Sequence, residues 1–241
     1  MACEFSSGLK RGVATLSLVG LLTGCGSGVR DPDYTVREYL WNKVKTLDVG
    51  FRYDFLEGRE GRLLFTIEPD YAGKSRNALL ADSFFLRDND GRVLNKVDGK
   101  IATISFTHRV YSPDGRWEKE ISRKLGGGLF NRLGRLIFGL DHYIVADSHG
   151  SPLLEVKESW RSVLSPFLRE YRIIEPVTRK EIGLIRNRFK AKSMLGAQEY
   201  EISLKDKTPE TTKNIALAIR VIDGVEDLEE TIFSSSKSKS D

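Results

Sequence analysis

The chain has 241 residues, 40% hydrophobic and 30% charged, with a net charge of +4 and two cysteines, Cys3 and Cys25. That length can bury a real core as one large domain or two small ones, and two cysteines are too few for a disulfide-stapled scaffold. A charge this mild permits contact with acidic headgroups but does not call for a nucleic-acid partner.

Lys10 and Arg11 precede an apolar run from Val13 to Leu22, a charged n-region and an h-region too short to span a bilayer. The run closes on Leu22-Thr23-Gly24-Cys25, which resembles the lipobox of bacterial lipoprotein signal peptides, with Glu4 in the n-region a departure from the pattern. The resemblance implies that residues 1–24 are removed and that Cys25 carries the lipid, several acyl chains giving the stable anchoring that one cannot. Losing Lys10, Arg11 and Glu4 leaves a charge of +3, and losing Cys3 leaves no partner for a disulfide or a thiolate metal site. In the family's sorting rule an Asp after the cysteine retains the protein in the inner membrane. Gly26 stands there, which implies the outer membrane, facing the periplasm.

Residues 25–34 read as a tether, and 35–233 as a β domain. Tyr34 to Val44 places Val36, Tyr39, Leu40 and Val44 at helical spacing and predicts a short helix. From Leu47 to Phe55 the pattern alternates, and it returns after Glu57-Gly58-Arg59-Glu60-Gly61 as Leu63 to Ile67, a hairpin. Further apolar runs bend at Asp88-Asn89-Asp90-Gly91, Ser112-Pro113-Asp114-Gly115, Asp147-Ser148-His149-Gly150 and Pro176-Val177-Thr178, with a last strand at Tyr200 to Leu204. Asp bonds the local backbone and Gly accepts positive φ, so these are turns of a meander of about ten strands.

Thr208-Pro209-Glu210 is a helix start: an N-cap hydroxyl, proline at the first helical position and an acid against the dipole. From Ile215 to Ile222 every residue but Arg220 is apolar, which leaves no face for water. A buried helix over 209–223 is the preferred reading. A strand is the rival, since large and small residues alternate there. Residues 234–241 are polar and predict a disordered tail. Strands followed by a wholly apolar helix predict a closed or nearly closed antiparallel β-barrel wrapped around that helix.

From Tyr143 to Asp223 the order of hairpin, Trp160, hairpin, strand and apolar helix is similar to the LURP-one, phospholipid scramblase and tubby C-terminal group. Tyr171 to Ile174 through Glu181 to Ile185 is the nearest local match. The resemblance implies a twelve-stranded barrel threaded by a central helix. The acidic calcium segment of scramblases has no counterpart here, so scramblase activity is not implied.

Arg186, Arg188, Lys190 and Lys192 fall at every second position, so a strand through them projects all four from one face. Such a face suits anionic phosphates: lipid headgroups, lipopolysaccharide, or the phosphoinositides that tubby relatives bind. It also suits a solvated strand whose charges deter edge pairing. Arg123 to Gly139 sets Leu129, Leu133, Leu136 and Ile137 on one helical face, fit for a lipid interface or for packing on the barrel. Asp88-Asn89-Asp90-Gly91 lacks the spacing and the closing Glu of a calcium loop. Asp141, His142, His149 and Ser151 supply triad residue types without a Gly-x-Ser-x-Gly elbow, and His108, His142 and His149 lack zinc spacing. The expectation is therefore a non-catalytic envelope lipoprotein without cofactor or metal. It would bind an anionic lipid or glycolipid headgroup, or else serve as an accessory subunit of an envelope protein complex.

Overall fold

The structure, a computed structural model, describes residues 31–43, 48–70, 83–102, 105–124, 140–164, 168–188, 199–205 and 207–237. Pro32–Asp241 forms one compact unit with its own closed sheet and core. Its axis is a helix, α2 (Pro209–Lys237). Thr208 caps it, its hydroxyl accepting from the Thr211 N–H at 3.1 Å. Ile215, Ala216, Leu217, Ala218, Ile219, Val221 and Ile222 are each 1% exposed or less, as a helix without a polar face requires. The only non-apolar residue in that run, Arg220, is half-buried and lays its guanidinium over the rings of Tyr53 and Phe84, at 5.3 and 5.4 Å. A side chain at Gly224 would meet Arg220 Nη1 at 2.5 Å, so this glycine leaves room for the guanidinium to lie along the helix.

Twelve antiparallel strands surround it: β1 (Tyr34–Lys43), β2 (Asp48–Glu57), β3 (Leu63–Pro69), β4 (Ser83–Asp88), β5 (Val93–Ala102), β6 (Ser105–Tyr111), β7 (Trp117–Lys124), β8 (His142–Asp147), β9 (Pro152–Glu158), β10 (Leu168–Ile174), β11 (Glu181–Arg188) and β12 (Glu199–Leu204). Each pairs with its sequence neighbours, and β1 pairs with β12 to close the barrel. A five-residue helix, α1 (Trp160–Leu164), joins β9 to β10. Alternate residues turn inward onto α2, among them Phe55, Leu86, Val97, Val110, Ile121, Val145, Val156, Ile173, Ile185 and Ile202. The barrel-and-helix architecture read from the sequence is thus the one observed, and β1 to β7 belong to the same barrel as β8 to β12.

The five tight hairpins share one construction. Each has a register shift at the turn, and each contains a residue in the left-handed region: Gly58, Gly91, Gly115, Gly150 and, in the fifth, Arg179 at φ 58°. Asp88 and Asp147 do what their position predicts, each accepting two backbone N–H groups across its turn. Arg179 is the exception. Where its four counterparts use the residue without a Cβ, this turn holds a side chain in a strained conformation.

Four expectations are corrected. Tyr34 to Val44 is not a helix: β1 runs Tyr34–Lys43, pairing with β2 along its whole length and with β12 from Tyr34 to Arg37. Its β-branched and aromatic residues fit a strand as well as a helix, and a helix there would leave β2 and β12 with open edges. The barrel also begins earlier than the tether 25–34 allowed, since Asp33 accepts from the Leu204 N–H at 2.7 Å and Lys207 at 2.6 Å. The terminal helix does not stop at Asp223 and the tail is not disordered from 234, because α2 continues to Lys237. Glu226, Leu228, Glu229 and Glu230 are good helix formers, and one glycine does not end a helix already fixed by its packed half. The proposed cleavage and lipidation region and the segment 125–139 lie outside the described residues.

Leu217→Ala and Ile219→Ala are each expected to cost about 2–5 kcal/mol, because the enclosing barrel cannot collapse onto the space they leave. Ala218→Asp should abolish cooperative folding, since Ala218 has no exposed surface. Chemical denaturation of residues 32–241 reads both, and a normal midpoint for Ala218→Asp would contradict a buried axis.

Candidate functional site

Among the described residues, three polar clusters stand out in the barrel. At the helix start, Lys119 of β7 donates to the Asn214 side-chain oxygen at 2.9 Å and to the Glu210 carboxylate. Burial alone raises the Glu210 pKa, but the bond and charge from Lys119 outweigh it and leave it lowered. Farther along, Arg123 and Asp141, each 3% exposed by side chain, form an ion pair at 2.6 Å. At the other end of the packed half, Asp223, fully buried, accepts from the Tyr53 and Tyr200 hydroxyls. Burial, and then the Asp223 charge, push the Tyr200 phenol well above its ordinary range. The first and third clusters tie α2 to the barrel wall, and the second joins β7 to the residue before β8.

The outer surface divides in two. Over β2 to β5, opposite charges meet: Arg52 sits at 2.9 Å from Asp54 and 3.7 Å from Glu68, Arg87 at 3.2 Å from Glu68, and Lys96 at 3.4 and 3.5 Å from Asp70 and Asp98. Over β7 to β10 the pattern changes. Lys124 is directly opposite His142, His142 opposite Lys157, and Lys157 opposite Arg172, so four neighbouring strands carry four basic side chains in one transverse row. Adjacent strands are about 4.8 Å apart, which gives the row a length of roughly 14 Å. All four lie on the outer face, because their chain neighbours Arg123, Tyr143, Val156, Tyr171 and Ile173 are the inward, buried ones. Like charges in direct cross-strand opposition destabilise a sheet.

One sunken carboxylate anchors the row. Glu155, 5% exposed by side chain, takes His142 Nε2 at 3.1 Å, Lys157 Nζ at 2.7 Å and Arg179 Nη1 at 2.7 Å. Burial alone raises its pKa, but the bond and charge of Lys157, then His142 and Arg179, leave it lowered. His142 is moved the other way from what a carboxylate neighbour implies: burial first, then the Lys157 charge, lower its pKa despite Glu155. The strained Arg179 of the fifth hairpin is therefore the residue that reaches across β10 to this carboxylate. Next to it, Glu170, 4% exposed, takes Arg186 at 3.1 Å and Arg161 at 4.0 Å. Among the described residues both carboxylates are outnumbered by their cations, and Arg172 has a looser contact, 3.8 Å, with Glu181.

Of the alternating quartet, Arg186 lies on the outer face of β11, opposite the inward Ile185 and Asn187, and is engaged by Glu170; Arg188 is the last residue of β11. Lys190 and Lys192 lie outside the described residues. The triad residue types are not brought together: His142 binds Glu155 at the start of β8, while Ser151 sits in the turn at its far end, its N–H held by Asp147. Among the described residues no three His, Cys, Asp or Glu converge as a metal site, and no helix is long and apolar enough to cross a membrane. The transverse row was not visible in the sequence. Lys124, His142, Lys157 and Arg172 stand at unequal intervals along the chain, and only strand register aligns them.

No family model matches the chain, and no curated protein matches it. A solved structure, the X-ray structure of an Arabidopsis thaliana protein, is similar over 81% of this chain and 94% of that one, at 13% identity and a TM-score of 0.38.

Arg179 offers a direct reading of what this site costs. Arg179→Gly relieves a left-handed strain of about 1–2 kcal/mol and loses an exposed ion pair worth about 0–1 kcal/mol. Arg179→Ala loses the same pair and keeps the strain. The glycine variant should therefore be more stable than the alanine variant by roughly 1 kcal/mol in denaturant unfolding, and no less stable than the parent. An alanine variant as stable as the glycine one would show that this turn is not strained.

Proposed function

We propose that this protein is a non-catalytic binding module of the bacterial envelope that holds anionic, phosphate-bearing headgroups on the outer face of its barrel. One observation carries the reading: four basic side chains aligned across β7 to β10, opposed to one another and outnumbering the carboxylate beneath them. The filled interior supports it from the other side. With α2 occupying the barrel and Tyr53, Tyr200 and Lys119 bonded to its polar side chains, the exterior is the better place for recognition. Arg186 on β11 extends the same cationic face, and Arg179 borders it. Phosphate oxygens fit such a row because each can accept from more than one cation at once.

The Leu22-Thr23-Gly24-Cys25 motif supports a lipid anchor on Cys25, which would keep the barrel at a membrane surface where headgroups are concentrated. Gly26 after it favours the outer membrane. Expression with a radiolabelled fatty acid should label the parent chain and not a Cys25→Ser variant.

Vesicle co-sedimentation of residues 32–241 tests the binding. Phosphatidylglycerol vesicles should be bound, phosphatidylcholine vesicles not, and binding should weaken as salt rises. Lys124→Gln, Lys157→Gln and Arg172→Gln together should weaken binding on the order of a hundredfold, at about 1 kcal/mol per cation near an anionic surface. The matched removal of exposed Arg62, Arg92 and Arg116, all on hairpin turns, should do far less. Equal losses in the two triple variants would mean that net charge, not the row, is responsible.

A further inference from the structure

His142 is the one member of the row whose charge can change near neutral pH. It lies between the two lysines, Lys124 on β7 and Lys157 on β9, and its ring nitrogen meets the shared Glu155 carboxylate at 3.1 Å. Arg179 reaches the same carboxylate from the hairpin between β10 and β11. With a neutral imidazole, the row has a gap of charge at its second position. With an imidazolium, it becomes an unbroken line of four cations, and Glu155 cannot neutralise three cations at once.

We propose that protonation of His142 switches the row from a weak to a strong anion site, so that the barrel holds anionic headgroups more tightly in mildly acidic surroundings. This rests on the headgroup-binding reading. The sign follows from the surroundings. In the free protein, burial and then the flanking lysine charges lower the His142 pKa and favour the neutral ring. An anion lying across the row offsets the Lys124 and Lys157 charges and pairs with the imidazolium, which raises the proton affinity of His142. By linkage, the proton raises the affinity for the anion by the same factor. The lowered pKa also means that the free barrel loses stability as pH falls below about 6.5, the unfolded histidine value, and that a bound anion restores it.

The probe is a phosphatidylglycerol vesicle, whose phosphodiester keeps its charge between pH 5.5 and 7.5. Residues 32–241 should bind about fivefold more tightly at pH 5.5 than at pH 7.5, the increment one added cation gives at such a surface. His142→Gln, which can still donate to Glu155, should bind with nearly the same affinity at both pH values, whereas His149→Gln should keep the full dependence. Salt-sensitive binding at pH 7.5 with no tightening at pH 5.5, or tightening that survives His142→Gln, would overturn the switch and leave headgroup binding standing. Absence of binding at both pH values would overturn both.

Discussion

A helix with no polar face dictates most of this structure. From Ile215 to Ile222 the only side chain able to reach water is Arg220, and even that guanidinium lies against Tyr53 and Phe84. A helix of about 10 Å diameter that must be covered on every side needs a wall that closes on itself, and a two-layer packing would leave one flank exposed. Twelve strands supply that wall. Closure in turn depends on the seam between β1 and β12, where, among the described residues, Tyr34 to Arg37 pair with Glu199 to Ile202. Asp33 reinforces the seam by accepting from Leu204 N–H and Lys207, so the first described turn of chain is bound to the strand that leads into the helix.

Filling the barrel has a functional consequence. In a barrel lined only by side chains or left hollow, the interior is the natural ligand site. Here the interior polar groups pin α2 to the wall: Lys119 to Asn214 and Glu210 at one end, Tyr53 and Tyr200 to Asp223 at the other. Each was placed by the sheet and satisfied by the helix. The outer face is uneven. Where Arg52, Arg87 and Lys96 sit, carboxylates match cations and the surface is locally neutral. Where Lys157, Arg172 and Arg179 sit, cations exceed carboxylates, with a left-handed arginine among them.

The sequence disclosed what depends on neighbours along the chain. Turn residues, strand alternation, the Thr208 cap and the apolar run are all local, and each was legible. The same locality explains the errors. Tyr34 to Val44 satisfies a helical spacing, but its fate was settled by two strands, one of them adjacent in the chain and the other more than 150 residues away. Asp223 looked like the polar end of a helix, yet it is a buried acceptor for two tyrosines, and the helix runs past it to Lys237. Of the site, the sequence showed the cations that alternate along β11, because alternation within a strand is a local pattern. It did not show the row across β7 to β10, because register between strands is set by hairpin geometry and bulges.

That distinction decides which cations matter. Charges that alternate along one strand lie about 7 Å apart, two residues' rise, and each can be served by a carboxylate on a neighbouring strand, as Glu170 serves Arg186. Charges opposed across strands are closer, near 5 Å, and occupy the positions where a neighbour's carboxylate would otherwise stand. Lys124, His142, Lys157 and Arg172 fill those positions for one another, so relief must come from the diagonal, where Glu155 alone faces three of the surrounding cations. A sheet assembled for stability alone would place an acid within such a row, as β2 to β5 place Asp54 and Glu68. Its absence leaves a strip of positive potential that an anion from outside can complete, and that is the physical reason to look for the ligand there.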